Sequence, residues 1–169
     1  NRDMIEANEP NACNMCHKDL TREQTAEAFA GWYPERVKTP HYGEILYRGN
    51  RGLPGYLPGI IKLGRNLDQP AIVRATAMWM LQSESSQETM QGLLSGLEDP
   101  SALVREASLA GFSRVQAAQR LQLTGKMLRD PARAVRTEAL RILANIPAGQ
   151  FSPEQRAAFD QAQEEFVQQ

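Results

Sequence analysis

The sequence predicts an all-α chain, with a small helical region first and a stack of repeated helix pairs after it. Three observations carry that expectation. The segments DQPAIVRATAMWML, DPSALVREASLAGF and DPARAVRTEALRIL begin at Asp68, Asp99 and Asp130, a period of 31 residues. Periods of this size belong to two-helix units that stack to share a core. Helix-start signals stand outside the repeat as well, in Thr21 with Gln24 and in Ser152 with Pro153 and Gln155. Apolar side chains at i, i+3 and i+4, namely Phe29, Trp32 and Tyr33, give the period of a helix rather than a strand.

Composition narrows the function classes. At 169 residues the chain can build a real core, as one domain or one and a half. Nineteen basic against twenty acidic side chains leave a net charge of −1. That balance argues against nucleic acid or an acidic membrane surface as the main partner. No apolar run reaches the length that spans a bilayer. The chain opens on Asn1 without the charged start and apolar stretch of a secretory leader, so the expectation is a mature form or a fragment.

In chain order, Pro10 closes a polar lead-in, and CNMCH follows at residues 13 to 17. It holds both cysteines and one of the two histidines. A Cys-x-x-Cys-His run is the attachment signal for a c-type haem. Thiols three positions apart can reach two vinyl groups on one porphyrin edge, and the next residue then carries an imidazole to the iron. Cys13 and Cys16 are the expected anchors of one covalent haem c, and His17 the proximal ligand. A redox dithiol would want a βαβ pattern, and none is visible. A zinc site would need four ligands, and Cys13, Cys16, His17 and His41 could supply them. Adjacent ligands such as Cys16 and His17 fit one tetrahedral centre poorly. A disulfide between Cys13 and Cys16 would leave His17 unexplained.

After Thr21 the spacing predicts a helix whose Phe29, Trp32 and Tyr33 form an ordinary core face, although packing on a porphyrin would look the same. Pro34 and VKTP end it. Thr39 and Pro40 read as N-cap and first helical position of a further helix, with His41 in its first turn and Ile45 on the same face. Beside a haem, His41 is the expected second axial ligand. Met4, Met15, Met78, Met80, Met90 and Met127 are its rivals; Met15 lies inside the attachment loop, and the others can simply fill core gaps. Trp32, Tyr33 and Tyr42 are candidate walls of the pocket, and Arg48 and Arg51 candidate partners for haem propionates.

GNRGLPGYLPG, from residue 49, reads as a hinge. Beyond it each repeat copy offers an aspartate cap, a proline near the first helical position, an arginine six places on (Arg74, Arg105, Arg136) and a closing apolar residue (Leu81, Phe112, Leu143). Partner helices are expected near residues 55 to 66, 87 to 97 and 117 to 128, with Leu93, Leu94, Leu97, Leu121 and Leu128 facing inward. Regular recurrence of Asp and Arg points to a scaffold of caps and polar links rather than to catalysis. A last helix from Ser152, with Phe159 and Phe166 as its apolar stripe, would cap the open end. The organisation expected is therefore a haem-binding region over 1–52, repeats over 53–150 and a capping helix over 151–169.

The 31-residue unit resembles short HEAT-like repeats and implies a HEAT-like solenoid. PNACNMCHKD, WYP, HYGEILYRGNRG and QPAIVRATA, in that order, resemble the C-terminal part of bacterial multihaem c-type cytochromes that carry a HEAT- or TPR-like helical domain. The resemblance covers roughly residues 10 to 145. It implies haem attachment in the periplasm or outside the cell, and electron transfer to a redox protein or to another multihaem chain. Relatives of that kind often carry further haem motifs upstream, whereas this chain has one. The expected function is a single-haem electron carrier whose repeat domain docks partners or subunits, homo- or hetero-oligomers included. A haem enzyme or gas sensor with an open axial position, and a scaffold with structural haem, remain the alternatives.

Overall fold

The computed structural model describes residues 11–35 and 41–168. Among them every regular element is helical, as ten α-helices with short 3-10 turns at several of their ends. The chain divides into two units, residues 1–54 and residues 55–169. No helix among the described residues is long and apolar enough to cross a membrane.

The first unit holds α1 (Ala12–Cys16), α2 (Arg22–Trp32) and α3 (Tyr42–Asn50). Thr21 caps α2 with a full capping box: its hydroxyl accepts from the Gln24 amide at 3.2 Å, and the Gln24 side chain accepts from the Thr21 amide at 2.8 Å. The expected core face on α2 is corrected. Phe29 and Tyr33 rings do meet, 5.1 Å apart, but Trp32 is 73% exposed and Tyr33 49%. Among the described residues of this unit only Asn11 and Thr25 are buried, and both are polar. The shared face is there, with Phe29 half-buried and its far end at Trp32 and Tyr33 exposed. Gly52 and Gly55 adopt φ of 59° and 74°, in the left-handed region where a side chain is strained, which explains the glycines of the turn after α3.

The second unit is built from α4 (Tyr56–Arg65), α5 (Ala71–Met80), α6 (Gln87–Gly96), α7 (Ala102–Ala110), α8 (Ala117–Thr124), α9 (Arg133–Leu143) and α10 (Pro153–Val167). The repeat helices α5, α7 and α9 lie side by side as one layer. On the other side α4 packs on α5 and α6, and α10 packs on α9 and on the turn Gly125–Arg129 that extends α8. The closing residues of the three copies, Leu81, Phe112 and Leu143, are fully buried, together with Met78, Val104, Leu109 and Val135. Two inward assignments need adjusting: Leu94 is only half-buried and Phe166 is 51% exposed, whereas Leu93, Leu97 and Phe159 are buried. The α10 start has the Ser152–Gln155 capping box that its sequence suggests.

The repeated aspartate is not an N-cap, and this corrects its expected role. The caps of α5, α7 and α9 are Pro70, Ser101 and Ala132. Asp99 and Asp130 sit two residues before the last two caps, and each accepts the backbone amide two positions on at 2.8 Å. Each also receives a fork from the arginine of the preceding copy. Arg74 donates to Asp99 at 2.9 and 2.8 Å, and Arg105 to Asp130 at 2.7 and 2.8 Å. The third nitrogen of each fork turns back to its own loop, as Arg105 Nη1 does to the Asp99 carbonyl at 2.9 Å. Arg136 ends the series on Glu165 of α10, at 2.9 and 2.6 Å.

Burial alone would raise the Asp99 and Asp130 carboxyls. Hydrogen bonds from the arginine and the turn amide, with the neighbouring positive charges, outweigh it and hold both below the usual aspartate value. A folded pKa below the unfolded one contributes stability that is complete above the unfolded value and is lost as pH falls through the folded one. Acid unfolding of this unit should therefore steepen below the ordinary aspartate value of 3.8, and in Asp99→Asn that component should shrink. At neutral pH, Asp99→Asn strands the buried Arg74 guanidinium, at a cost of about 3–5 kcal/mol in denaturant unfolding. Leu109→Ala, at a fully buried site, should cost about 2–5 kcal/mol. Both variants matching wild type would mean that the layer is assigned wrongly.

Candidate functional site

The CNMCH run occupies α1 and the residue that ends it. Asn11 makes the helix start: it is extended, with φ −97° and ψ 125°, and its side-chain oxygen accepts the Cys13 amide at 3.0 Å. Five residues are far too few to hold a helix in water by themselves. A polar clamp beneath them supplies the rest. Asn11 Nδ2 donates to the Thr25 hydroxyl at 2.8 Å. That hydroxyl faces two acceptors, Asn14 Oδ1 at 3.1 Å and the Arg22 carbonyl at 2.9 Å. Asn14 Nδ2 then donates to the Leu20 carbonyl at 2.8 Å, which folds the turn after His17 back on α1. Asn11 is 2% exposed and Thr25 5%. Sequestered bonds of this kind contribute about 1 kcal/mol each, and leaving one buried partner unsatisfied costs about 1–3 kcal/mol.

The two cysteines lie three positions apart on α1 and so share a face. Cys13 is half-buried, Cys16 is exposed, and no disulfide joins them. His17 ends the helix, its amide donating to the Cys13 carbonyl at 2.9 Å. Its side chain is exposed, and its ring makes no hydrogen bond among the described residues. Two thiols on one side of a turn, followed at once by a solvent-facing imidazole, could hold a planar cofactor by two covalent links and one coordinate bond. Among the described residues no three His, Cys, Asp or Glu side chains converge on a common point. The four ligands weighed for zinc are thus not assembled.

His41 stands elsewhere than the sequence suggests. Thr39 and Pro40 lie outside the described residues, and His41 itself is the N-cap of α3, in extended conformation with φ −98°. Its Nδ1 accepts the Gly43 amide at 3.1 Å. A methyl at position 43 would approach that nitrogen to 2.9 Å, so the imidazole cap requires the glycine. Tyr42 packs beside the ring, with centroids 4.0 Å apart. The shift by two positions has a simple cause, since an imidazole nitrogen can do the capping that Thr39 was expected to do. An accepting Nδ1 leaves the proton of the neutral ring on Nε2. Ligation through either nitrogen would then demand loss of the cap or transfer of that proton.

The remaining candidates are scattered. Trp32 and Tyr33 stand exposed at the end of α2, and Tyr42 is half-buried at the start of α3. Arg48 donates to the Pro54 carbonyl at 3.3 Å, and the Arg51 guanidinium lies 5.6 Å from the centre of the Tyr47 ring. Of the methionines, Met78 and Met127 are buried in the core of the second unit, Met15 is 70% exposed on α1, and Met4 lies outside the described residues. Sequence reasoning passed over Asn11, Asn14 and Thr25. The signal available was weak: an Asn two residues before Cys13, and a threonine four after the Thr21 cap.

Comparison with known proteins returns no matching family model, no matching curated protein and no matching solved structure.

In the protein free of any iron ligand, the cap predicts that His41 is held as the Nε2-protonated tautomer. Long-range nitrogen NMR should show an unprotonated Nδ1, and Gly43→Ala should release the ring and average the two tautomers. An Nδ1-protonated ring in wild type would contradict the capping geometry.

Proposed function

We propose that this chain is a c-type haem protein that passes single electrons between redox partners outside the cytoplasm. The observation that carries the reading is the arrangement on α1. Two thiols with no disulfide between them lie on one short helix. An imidazole without a hydrogen-bonding partner among the described residues follows immediately. Cys13 and Cys16 would give their sulfurs to the two vinyl groups on one porphyrin edge. Each thiol would be held as a thioether, its S–H added across a vinyl C=C, so that attachment would consume no oxidant or reductant. His17 would offer its ring nitrogen to the iron. When bound, haem supplies a reversible one-electron couple between ferric and ferrous iron. Trp32, Tyr33 and Tyr42 would shield the group from water.

His41 remains the proposed second ligand of the iron, which it could become only by releasing the Gly43 amide or by losing the proton on Nε2. The second unit, whose layered helix pairs suit a HEAT-like scaffold, would dock a redox protein, another multihaem chain or a subunit. The His41 cap also favours one rival: if the ring stays on Gly43, the sixth position is open, and a gas sensor or haem enzyme results.

Acid–organic extraction should leave the colour on the polypeptide, and the intact mass should rise by one haem. The ferrous protein should be low-spin and six-coordinate, and should bind carbon monoxide slowly. His41→Ala should speed that binding by at least an order of magnitude if His41 is the ligand displaced. Colour lost to the solvent rejects the haem reading. Immediate carbon monoxide uptake by a high-spin wild type rejects the carrier in favour of the open-site reading.

A further inference from the structure

We infer that Asn11 and Thr25 are positioning residues for cofactor attachment, holding the Cys-x-x-Cys-His helix in shape before any covalent link exists. The inference rests on the haem reading above and adds to it two side chains outside the Cys-x-x-Cys-His run itself. They are the only buried residues among the described part of the first unit, and the α1 geometry passes through them. Asn11 fixes the first turn through the Cys13 amide, and its own carbonyl accepts the Asn14 amide at 3.0 Å. Thr25 Oγ1 is the joint. It accepts from Asn11 and can donate to Asn14, whose amide group in turn holds the Leu20 carbonyl. The start of α1, Asn14 between the cysteines and the turn beyond His17 are thereby tied to one point on α2.

What this does for attachment is geometric. Two additions must occur on one porphyrin edge, and the second requires Cys16 to present its sulfur at a set distance and angle from Cys13. A helix of five residues without the clamp would sample open conformers. In those, the first thioether forms and the second sulfur is misplaced. The clamp contains no titratable group, so its effect should not vary with pH near neutrality, unlike the thiolate chemistry it serves.

The test uses the full chain expressed with haem loading, as wild type, Thr25→Val and Thr25→Ser. Valine keeps the shape of threonine and removes the hydroxyl, whereas serine keeps the hydroxyl. Reduced, denatured samples in pyridine report the number of thioethers. A vinyl group left unreacted stays conjugated with the ring and moves the visible band to longer wavelength. Intact mass reports the loaded fraction, and thermal unfolding of the helical signal confirms that the second unit is folded. The expected result is a band at longer wavelength and a several-fold lower loaded fraction in Thr25→Val, with Thr25→Ser restored to wild type. Wild type and Thr25→Val alike in band and loading would overturn the inference and leave the haem reading standing. Thr25→Ser as impaired as valine would also overturn it, because the hydroxyl would not be the cause. A wild type without haem would remove both.

Discussion

A guanidinium buried between two loops sets the spacing of the second unit. Arg74 and Arg105 are each caught between the loop before their own helix and the aspartate that precedes the next repeat helix. The fork is planar and accepts little sliding. Once it is seated, the distance from one repeat helix to the next is fixed, and so is the register in which Val104, Leu109 and Val135 interleave. Bringing these charges out of water is expensive, and the pairs are better regarded as setting register than as adding net stability. The apolar layer, which holds Leu81, Phe112 and Leu143 without exposure, supplies the drive to fold.

The ends of this ladder differ. At the far end the repeat would place its next acceptor at position 161, which is Gln161, and Glu165 of α10 takes the Arg136 fork instead. At the near end Asp68 is exposed and takes no arginine among the described residues. The residue 25 positions before it, where the ladder would seek its donor, is Gly43. The first unit works under another regime. A region of about fifty residues buries too little surface to stand on an apolar core alone and usually needs a staple of some kind. Its buried pair is polar and hydrogen-bonded, and its largest aromatic side chain faces outward.

What could be read in the sequence divides along the same line. A 31-residue recurrence is legible because stacking demands the same residue type at the same place in each copy, so the helix pairs and closing residues follow from the pattern. The aspartate's role was less legible. An Asp-Pro before a helix satisfies the signature of a cap, and only the fold reveals that the carboxylate is spent on an arginine from the previous copy. Trp32 and Tyr33 keep helical spacing whether or not anything covers them, so spacing could not tell a core face from an exposed one. Asn11 and Thr25 were invisible for the opposite reason: isolated polar residues read as surface until the structure closes over them. CNMCH stands out as a pattern because it is contained in five consecutive positions, and the fold adds the short helix that carries it.

His41 shows how two roles compete for one atom pair. A neutral imidazole has a single unprotonated nitrogen, so it can accept the Gly43 amide or bind a metal through that lone pair, and doing both requires deprotonating the ring altogether. The cap contributes about 0.5–2 kcal/mol, enough to bias the ring's position by a factor of about 2–30 and no more. A hold that weak yields to any stronger bond that the ring can reach. Whether the proposed iron keeps an open sixth position would therefore be decided by reach and not by affinity: by whether the chain between His17 and His41 lets the capping imidazole of α3 come to the iron. Gly43 makes that exchange cheap in the sense that matters, because once the cap is released a glycine at the second helical position imposes no side chain on the path of the ring.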